Sequence, residues 1–172
     1  MRMEKTTYAQ PSIFRDDQFA SSPISDQFGR TFNYLRFSVN EYCNLRCIYC
    51  MPEKGVPFRS QDRLLTTGEI CRLIDITSQM GVSKIRFTGG EPLLRKDLLD
   101  LIKFVHEKDA IDSIHLTTNG TLLSKQINLL KDAGLTGINI SLDTLIHEKF
   151  KTITRSGGLD LVLDGLEKAI QS

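Results

Sequence analysis

Three cysteines within eight residues constrain this chain more than any other feature of its sequence. Cys43, Cys47 and Cys50 are four and three positions apart, directly after a strand-like run, and Cys71 is the only other cysteine among the 172 residues. Three clustered thiolates without a fourth fit an iron–sulfur cluster that leaves one iron open to a small-molecule ligand. We therefore predict a cluster bound by Cys43, Cys47 and Cys50, without Cys71.

Two other interpretations of the cysteines stay open from the residues alone. Spacings of four and three also place side chains on one face of an α-helix, which would give a buried cysteine stripe, although Asn44 and Pro52 weaken that interpretation. The second is structural zinc. Closed zinc sites take four ligands, commonly with cysteines in pairs two residues apart, and the run from Cys43 to Cys50 contains one such pair.

Composition and charge argue against several classes of protein. Hydrophobic residues make up 40% and charged residues 25% of the chain, which is usual for a globular domain with its own core. The net charge of +1 gives no general attraction to nucleic acid or to an anionic membrane. No apolar run approaches the ~20 residues of a membrane span. Because an apolar signal sequence is also absent, we expect a cytoplasmic protein whose cysteines are reduced.

Strand and helix patterns alternate along the chain after a polar segment, residues 1–28, that is predicted to be a flexible N-terminal arm. The predicted strands cover residues 35–40, 84–88, 114–117 and 137–142. Predicted helices follow the strands, with Thr67 as the N-cap of the first and the others beginning near Leu98, Leu122 and Leu159. Four strands alternating with four helices predict a parallel sheet with right-handed crossovers.

The strands alternate apolar and polar residues, and this pattern favours a barrel over a doubly wound sheet. Parallel strands covered on both faces are continuously apolar, whereas one face here is polar. That face carries Arg36, Ser38, Asn40, Arg86, Thr88, His115, Thr117, Asn139 and Ser141. In a barrel it lines the lumen, and two arginines there predict a polar, anionic ligand. The fold class is thus α/β, with residues 29–172 forming about four βα units of a partial TIM-like barrel. A half-exposed sheet with helices on one side is the alternative.

A glycine-rich turn, Gly89-Gly90-Glu91-Pro92, directly follows the second predicted strand. Glycine lets a backbone approach a ligand closely, and its carbonyl groups can accept hydrogen bonds from that ligand. Glu91 and Pro92 also suit the first turn of a helix, and taken alone this is the simpler interpretation. Two motifs at the ends of successive strands are harder to explain by chance.

The cysteine spacing, the aromatic Tyr49 before the last cysteine, and Gly89-Gly90-Glu91-Pro92 together resemble the radical S-adenosylmethionine superfamily. Within it, the chain from Asp26 onward is most similar to the GTP 3',8-cyclase family of molybdenum cofactor biosynthesis. The segments that carry this resemblance are residues 26–30, 35–39, 84–98, 116–120 and 138–143.

This resemblance implies cofactors, substrate and site residues. A [4Fe-4S] cluster would be bound by Cys43, Cys47 and Cys50, with S-adenosylmethionine chelating its open iron. Tyr49, Gly90 and Ser141 would contact S-adenosylmethionine. Arg36, Arg86 and Thr117 would contact GTP. The reduced cluster would release a 5'-deoxyadenosyl radical that takes hydrogen from C3' of GTP, and the C3' radical would add to C8, giving 3',8-cyclo-7,8-dihydro-GTP.

The remaining partners and roles follow from the resemblance and from composition. The resemblance implies an electron donor for the cluster and admits a homodimer, while the net charge and the lack of a long apolar run argue against nucleic acid and membrane as partners. Because the cofactors carry the difficult chemistry, no side-chain acid or base is assigned. His106, His115 and His147 are scattered, and we expect each to be a surface residue or a satisfied core residue.

The sequence departs from the family pattern in two places. Asn40-Glu41-Tyr42 replaces a more usual Thr-Asp-Arg-like run before Cys43. The family also continues to a second [4Fe-4S] cluster on three more cysteines and to a Gly-Gly tail, neither of which this sequence contains. We therefore expect an N-terminal fragment whose last strand has an unpaired edge and whose own activity is uncertain. A radical enzyme acting on a peptide or another small molecule, and a metal-binding protein without turnover, are the alternatives.

Overall fold

A computed structural model describes residues 22–56 and 64–172, so most of the predicted arm at residues 1–28 lies outside the described part. The strands of this part are β1 (Tyr34–Ser38), β2 (Lys84–Thr88), β3 (Ser113–Thr118) and β4 (Gly137–Ile140). The helices are α1 (Thr67–Gln79), α2 (Leu98–His106), α3 (Leu123–Asp132), α4 (His147–Thr154) and α5 (Leu159–Gln171). A short 3-10 turn covers Pro92–Leu94.

The four strands form one parallel sheet in the order β1-β2-β3-β4. A helix lies in each connection, which is the arrangement that parallel neighbours require. Arg36 pairs with Arg86 in register, Arg86 pairs with His115, and Thr117 pairs with Asn139. The predicted α/β fold with successive βα units is confirmed, and the predicted polar residues lie side by side across the sheet.

The other face of the sheet packs against the helices and forms the core. Ile85, Phe87, Ile114 and Leu116 are each at most 2% exposed. They pack with buried helix residues that include Ile70, Ile74, Leu98, Leu101, Leu123 and Leu130. Full burial of such a side chain stabilises the fold by about 1.5–3 kcal/mol. The alternation of the strands therefore assigns the apolar side chains to the correct face.

The N-cap of helix α1 lies one residue earlier than predicted. Thr66, not Thr67, is the N-cap, and it forms a capping box in which its hydroxyl accepts from the Glu69 N–H and the Glu69 carboxylate accepts from the Thr66 N–H. The glutamate lies three residues after Thr66, which is the spacing this motif needs. The hydroxyl of Thr67 instead donates to Asp97, across to the start of α2.

Helix α4 has no counterpart among the predicted helices. Its buried residues are Phe150 and Thr154 alone, so its sequence lacks the apolar repeat that reveals a helix. Phe150 packs with Leu159 and Val162 in a small second cluster beneath the end of β4. Gly165 lets α5 approach the start of α3, since a Cβ there would lie 3.0 Å from the Leu123 Cβ.

The described part of the predicted arm is attached to α1. Ile24 donates its N–H to the Met80 carbonyl at 3.2 Å and accepts from Phe32 at 2.8 Å, and Ser25 pairs with Thr31 in a single antiparallel bridge.

Within residues 22–56 and 64–172, every helix is too short or too polar to cross a lipid bilayer.

Candidate functional site

The carboxyl ends of the four parallel strands meet along one edge of the sheet, and the cysteines lie on the connection that leaves β1 there. We call residues 43–51 the cysteine loop. Gly89-Gly90-Glu91 follows β2, Asn119 follows β3, and Ser141 follows β4. Enzymes built on parallel βα units place their sites at this edge.

Gly89 and Gly90 allow the backbone before the cysteine loop to cross the end of β2. The Gly90 N–H donates to the Asn40 carbonyl at 3.0 Å, and the Glu91 N–H donates to the Tyr42 carbonyl at 2.6 Å. A Cβ at residue 90 would lie 2.2 Å from the Tyr42 carbonyl oxygen, and one at residue 89 would lie 2.6 Å from that of Asn40. Close contact between two backbone segments therefore requires both glycines. The contact of Gly90 with S-adenosylmethionine stays a prediction.

Glu91 is fully buried and joins the ends of β2 and β3. Its carboxylate accepts from the Thr118 hydroxyl at 2.7 Å, the Asn119 N–H at 2.7 Å and the Leu93 N–H at 3.0 Å. Its backbone carbonyl accepts from the Asn40 side chain at 3.0 Å. Burial raises the pKa of the Glu91 carboxyl, and the three donors oppose that rise. Glu91 is therefore the N-cap of the short turn at Pro92–Leu94, as the simpler interpretation suggests, and it also holds the end of β3.

Two asparagines hold the start of the cysteine loop. Asn119 donates to the Asn44 side-chain oxygen at 2.8 Å, and Asn44 donates to the Thr121 hydroxyl at 2.8 Å. The Cys43 sulfur accepts from the Leu45 N–H at 3.4 Å and from the Asn119 amide at 3.8 Å. Hydrogen bonds to sulfur of this kind tune iron–sulfur centres. The sequence-based prediction of the site includes neither asparagine. What could have indicated them is their position, since Asn44 directly follows Cys43 and Asn119 directly follows β3.

Cys47 lies among negative groups in the middle of the loop. Burial raises the pKa of the Cys47 thiol, the charges of Cys43, Cys50 and Asp143 raise it further, and a hydrogen bond from Tyr49 opposes these effects. Tyr49 is 67% exposed and donates its hydroxyl to Asp143 at 2.7 Å. That hydrogen bond raises the pKa of Tyr49 far above its usual value. Ser141 is exposed at the end of β4, and its N–H donates to the Thr118 carbonyl.

The donor set fits a cluster better than a single metal ion. Across the described residues, no three His, Cys, Asp or Glu side chains are arranged to hold one ion. In a four-iron cluster each thiolate binds a different iron, so the sulfurs need only surround the cluster rather than converge on one point. The three cysteines are free and lie on one loop, and the Cys43 sulfur accepts N–H groups as cluster thiolates do. Cys71 instead packs half-buried against the core from α1.

Arg86 organises the polar face of the sheet. Its Nη1 donates to the Thr117 hydroxyl at 3.2 Å and to the Asn139 side chain, and its Nη2 contacts His115 Nδ1 at 3.1 Å. Its Nε is buried and has no hydrogen-bond partner among the described residues. Arg36, its neighbour in register, is exposed. The structure thus brings the three predicted substrate residues onto one face.

His115 is a member of this polar face. Because a guanidinium only donates, His115 Nδ1 accepts from Arg86 and the imidazole is neutral. Burial lowers the pKa of His115, and the positive charges of Arg86 and Lys84 lower it further. The general expectation of a surface or satisfied core histidine overlooks this contact with Arg86. His147, by contrast, forms an exposed pair with Asp160.

Comparison with protein families and with related sequences gives consistent results. A family model described as the Radical SAM superfamily matches residues 37–172. The chain is 49% identical over 146 residues to the GTP 3',8-cyclase of Limosilactobacillus fermentum, covering 85% of this chain and 44% of that protein. It is 48% identical over 151 residues to molybdenum cofactor biosynthesis protein 1 of Mus musculus, covering 88% of this chain and 24% of that protein. The chain spans less than half the length of these relatives.

Solved structures share the fold at low sequence identity. A crystal structure of HydG, a maturase of the [FeFe]-hydrogenase, matches with a TM-score of 0.64 and 20% identity, covering 80% of this chain and 32% of that one. BtrN in complex with AdoMet and 2-DOIA matches with a TM-score of 0.57 and 22% identity, covering 78% of this chain and 55% of that one. These similarities support a partial TIM-like core.

Proposed function

The chain belongs to the radical SAM superfamily, and from this membership we propose that it provides the cluster-binding and cofactor-binding half of a GTP 3',8-cyclase. The proposed reaction converts GTP to 3',8-cyclo-7,8-dihydro-GTP in molybdenum cofactor biosynthesis. The observation that carries the substrate assignment is the pair Arg36 and Arg86, which lie in register on the polar face of the sheet, with Arg86 hydrogen-bonded to Thr117.

The residues of the chain would bind and orient, since the cofactors supply the chemistry. Cys43, Cys47 and Cys50 would bind three irons of a [4Fe-4S] cluster, and Tyr49, Gly90 and Ser141 would line the place of S-adenosylmethionine. When bound and reduced, these cofactors supply the radical that starts the reaction. The cysteine loop and the strand ends would hold that radical close to the polar face.

The polar face would bind GTP through charge and planar donors. A guanidinium suits phosphate oxygens and the edge of a purine because its donors form a rigid fork. Thr117 and His115 hold the guanidinium of Arg86 in place, and its buried Nε has no hydrogen-bond partner among the described residues. An electron donor and a reducing cytoplasm, which keeps the cysteines as thiols, complete the proposal.

Anaerobic reconstitution of the chain with iron and sulfide tests the cluster. We expect a brown protein with broad absorption near ~400 nm and about four irons per chain. Cys47→Ala should lose the colour, whereas Cys71→Ala should keep it and serves as the matched control. Tight binding of zinc without colour would reject the assignment.

Product analysis tests the substrate. We would reconstitute the chain together with the C-terminal part of the Limosilactobacillus fermentum relative and measure 5'-deoxyadenosine by chromatography. Formation that depends on GTP supports the cyclase, and formation with a peptide but not with GTP would replace it by another radical enzyme.

A further inference from the structure

The cysteine loop rests on the carboxyl end of α4, about a hundred residues further along the chain. The Arg46 N–H donates to the Thr154 carbonyl at 3.0 Å, and the Ile48 N–H donates to the Ile153 carbonyl at 2.9 Å. The last four carbonyls of a helix have no partner within it. Here the residues on either side of Cys47 supply two of the missing donors, so the helix end and the loop complete each other.

Arg155, the residue directly after α4, donates back to the cysteine loop. Its Nη1 donates to the Met51 carbonyl at 3.0 Å and to the Arg46 carbonyl at 3.4 Å. Arg46 immediately precedes Cys47, and Met51 immediately follows Cys50. One guanidinium therefore links the two ends of the segment that carries two of the three cysteines.

The backbone of Arg155 is in the left-handed conformation, with φ at 53°, and it is the only non-glycine residue with positive φ in the described part of the chain. Glycine is the usual residue at this position after a helix because it adopts this conformation without strain. An arginine held here needs support from its surroundings, and the two loop carbonyls contribute to that support.

We propose that Arg155 is a positioning residue for the iron–sulfur cluster, holding the Cys47–Cys50 segment against the end of α4. The inference rests on the proposed function, because it assumes that these cysteines bind the cluster. Arg155 would add a positive charge near the three thiolates that bind the cluster, and its hydrogen bonds to the carbonyls on both sides of the segment would restrict the motion of the segment. Its side chain is exposed, so we expect the cluster to depend on it more than the folded state does.

Arg155→Gly removes the whole side chain, with its guanidinium, while glycine keeps the left-handed backbone conformation without strain. Arg155→Lys keeps the charge, and Lys149→Ala removes an exposed positive charge from the same helix as the matched control. The measurements are the rate of iron loss to a chelator after reconstitution, the electron paramagnetic resonance spectrum of the reduced cluster, and amide hydrogen exchange of the iron-free chain.

We expect Arg155→Gly to lose iron roughly 10-fold faster, as for other residues that support metal ligands, with an altered resonance spectrum and an unchanged unfolding midpoint. The amides of Arg46 and Ile48 should exchange faster in the same variant. Arg155→Lys should lie between the glycine variant and the unaltered chain, and Lys149→Ala should match the unaltered chain. Equal iron loss and equal exchange in Arg155→Gly overturn the inference alone. Failure of the unaltered chain to take up iron rejects the proposed function and this inference with it.

Discussion

At the residue scale, Arg86 is already oriented before any substrate arrives. Thr117 and Asn139 accept from one of its terminal nitrogens, and His115 accepts from the other. Three partners on two neighbouring strands fix the plane of the guanidinium, so little side-chain entropy is left to lose on binding a ligand.

Arg86→Lys tests this orientation. Lysine keeps the charge but replaces the rigid fork by a mobile ammonium. We expect GTP affinity, measured by calorimetric titration of the reconstituted chain, to fall about 10-fold or more, since a hydrogen bond to a charged group is worth about 1.5–3 kcal/mol. Lys103→Ala removes a charge from exposed α2 surface and is the control. Equal affinity of both variants for GTP would contradict the proposed contact of Arg86 with GTP.

His115 gives the polar face a pH dependence whose sign follows from its lowered pKa. Between that folded-state pKa and the ordinary value of 6.5, the unfolded chain binds the proton more strongly than the folded chain does. Stability is therefore fully present above pH 6.5 and is lost as the pH falls through the folded-state pKa.

Urea unfolding at a series of pH values checks this behaviour in the unaltered chain and in His115→Gln. Glutamine can still accept from Arg86 but does not titrate in this range. We expect the variant to lose less stability than the unaltered chain between about pH 7 and pH 5. Parallel pH curves for the two proteins would show that His115 does not carry the effect.

At the element scale, the contact between β2 and the backbone before the cysteine loop depends on glycine. In Gly90→Ala the new Cβ would need the space of the Tyr42 carbonyl, 2.2 Å away, and backbone cannot move aside as a flexible side chain can. We expect a loss of about 1–3 kcal/mol in the free energy of unfolding, together with weaker retention of iron.

Gly68→Ala is the matched control for that substitution. A Cβ at residue 68 meets nothing within 4 Å in the first turn of α1, so this variant should be neutral or gain up to about 1 kcal/mol. Chemical unfolding measures both variants. A Gly90→Ala protein as stable as the Gly68→Ala protein would mean that the two backbone segments can separate freely.

Some of the helices and strands could be predicted from the sequence, and α4 could not. Each strand and α2 carry a complete apolar repeat, so local pattern alone places them to within a few residues. The repeat of α4 is missing because Phe150 and Thr154 are its only buried residues, and its end is held by hydrogen bonds to Arg46 and Ile48. Contacts between segments so far apart leave no periodic signal, and the same holds for Asn44 with Asn119 and for Arg155.

At the scale of the whole molecule, the sheet ends in an unsatisfied edge. Within the described residues β4 pairs with β3 alone, and a groove runs beside it between α3 and α5. The groove is lined in part by Leu135, Ile138, Ile140, Leu166 and Ile170. Ile170 is 78% exposed. An open edge next to exposed apolar side chains favours pairing with another chain.

We therefore expect the chain to self-associate as its concentration rises, and we expect Ile170→Lys to weaken that association. The exposed side chain contributes little to folding, so the variant should unfold at the same denaturant concentration as the unaltered chain. Sedimentation velocity over a range of concentrations measures the association. Leu161→Lys is the control, because Leu161 is also exposed on α5 but does not line the groove. This variant should associate as strongly as the unaltered chain. If Ile170→Lys associates as strongly as Leu161→Lys, the groove beside β4 does not drive association, and another surface must be responsible for any association that is observed.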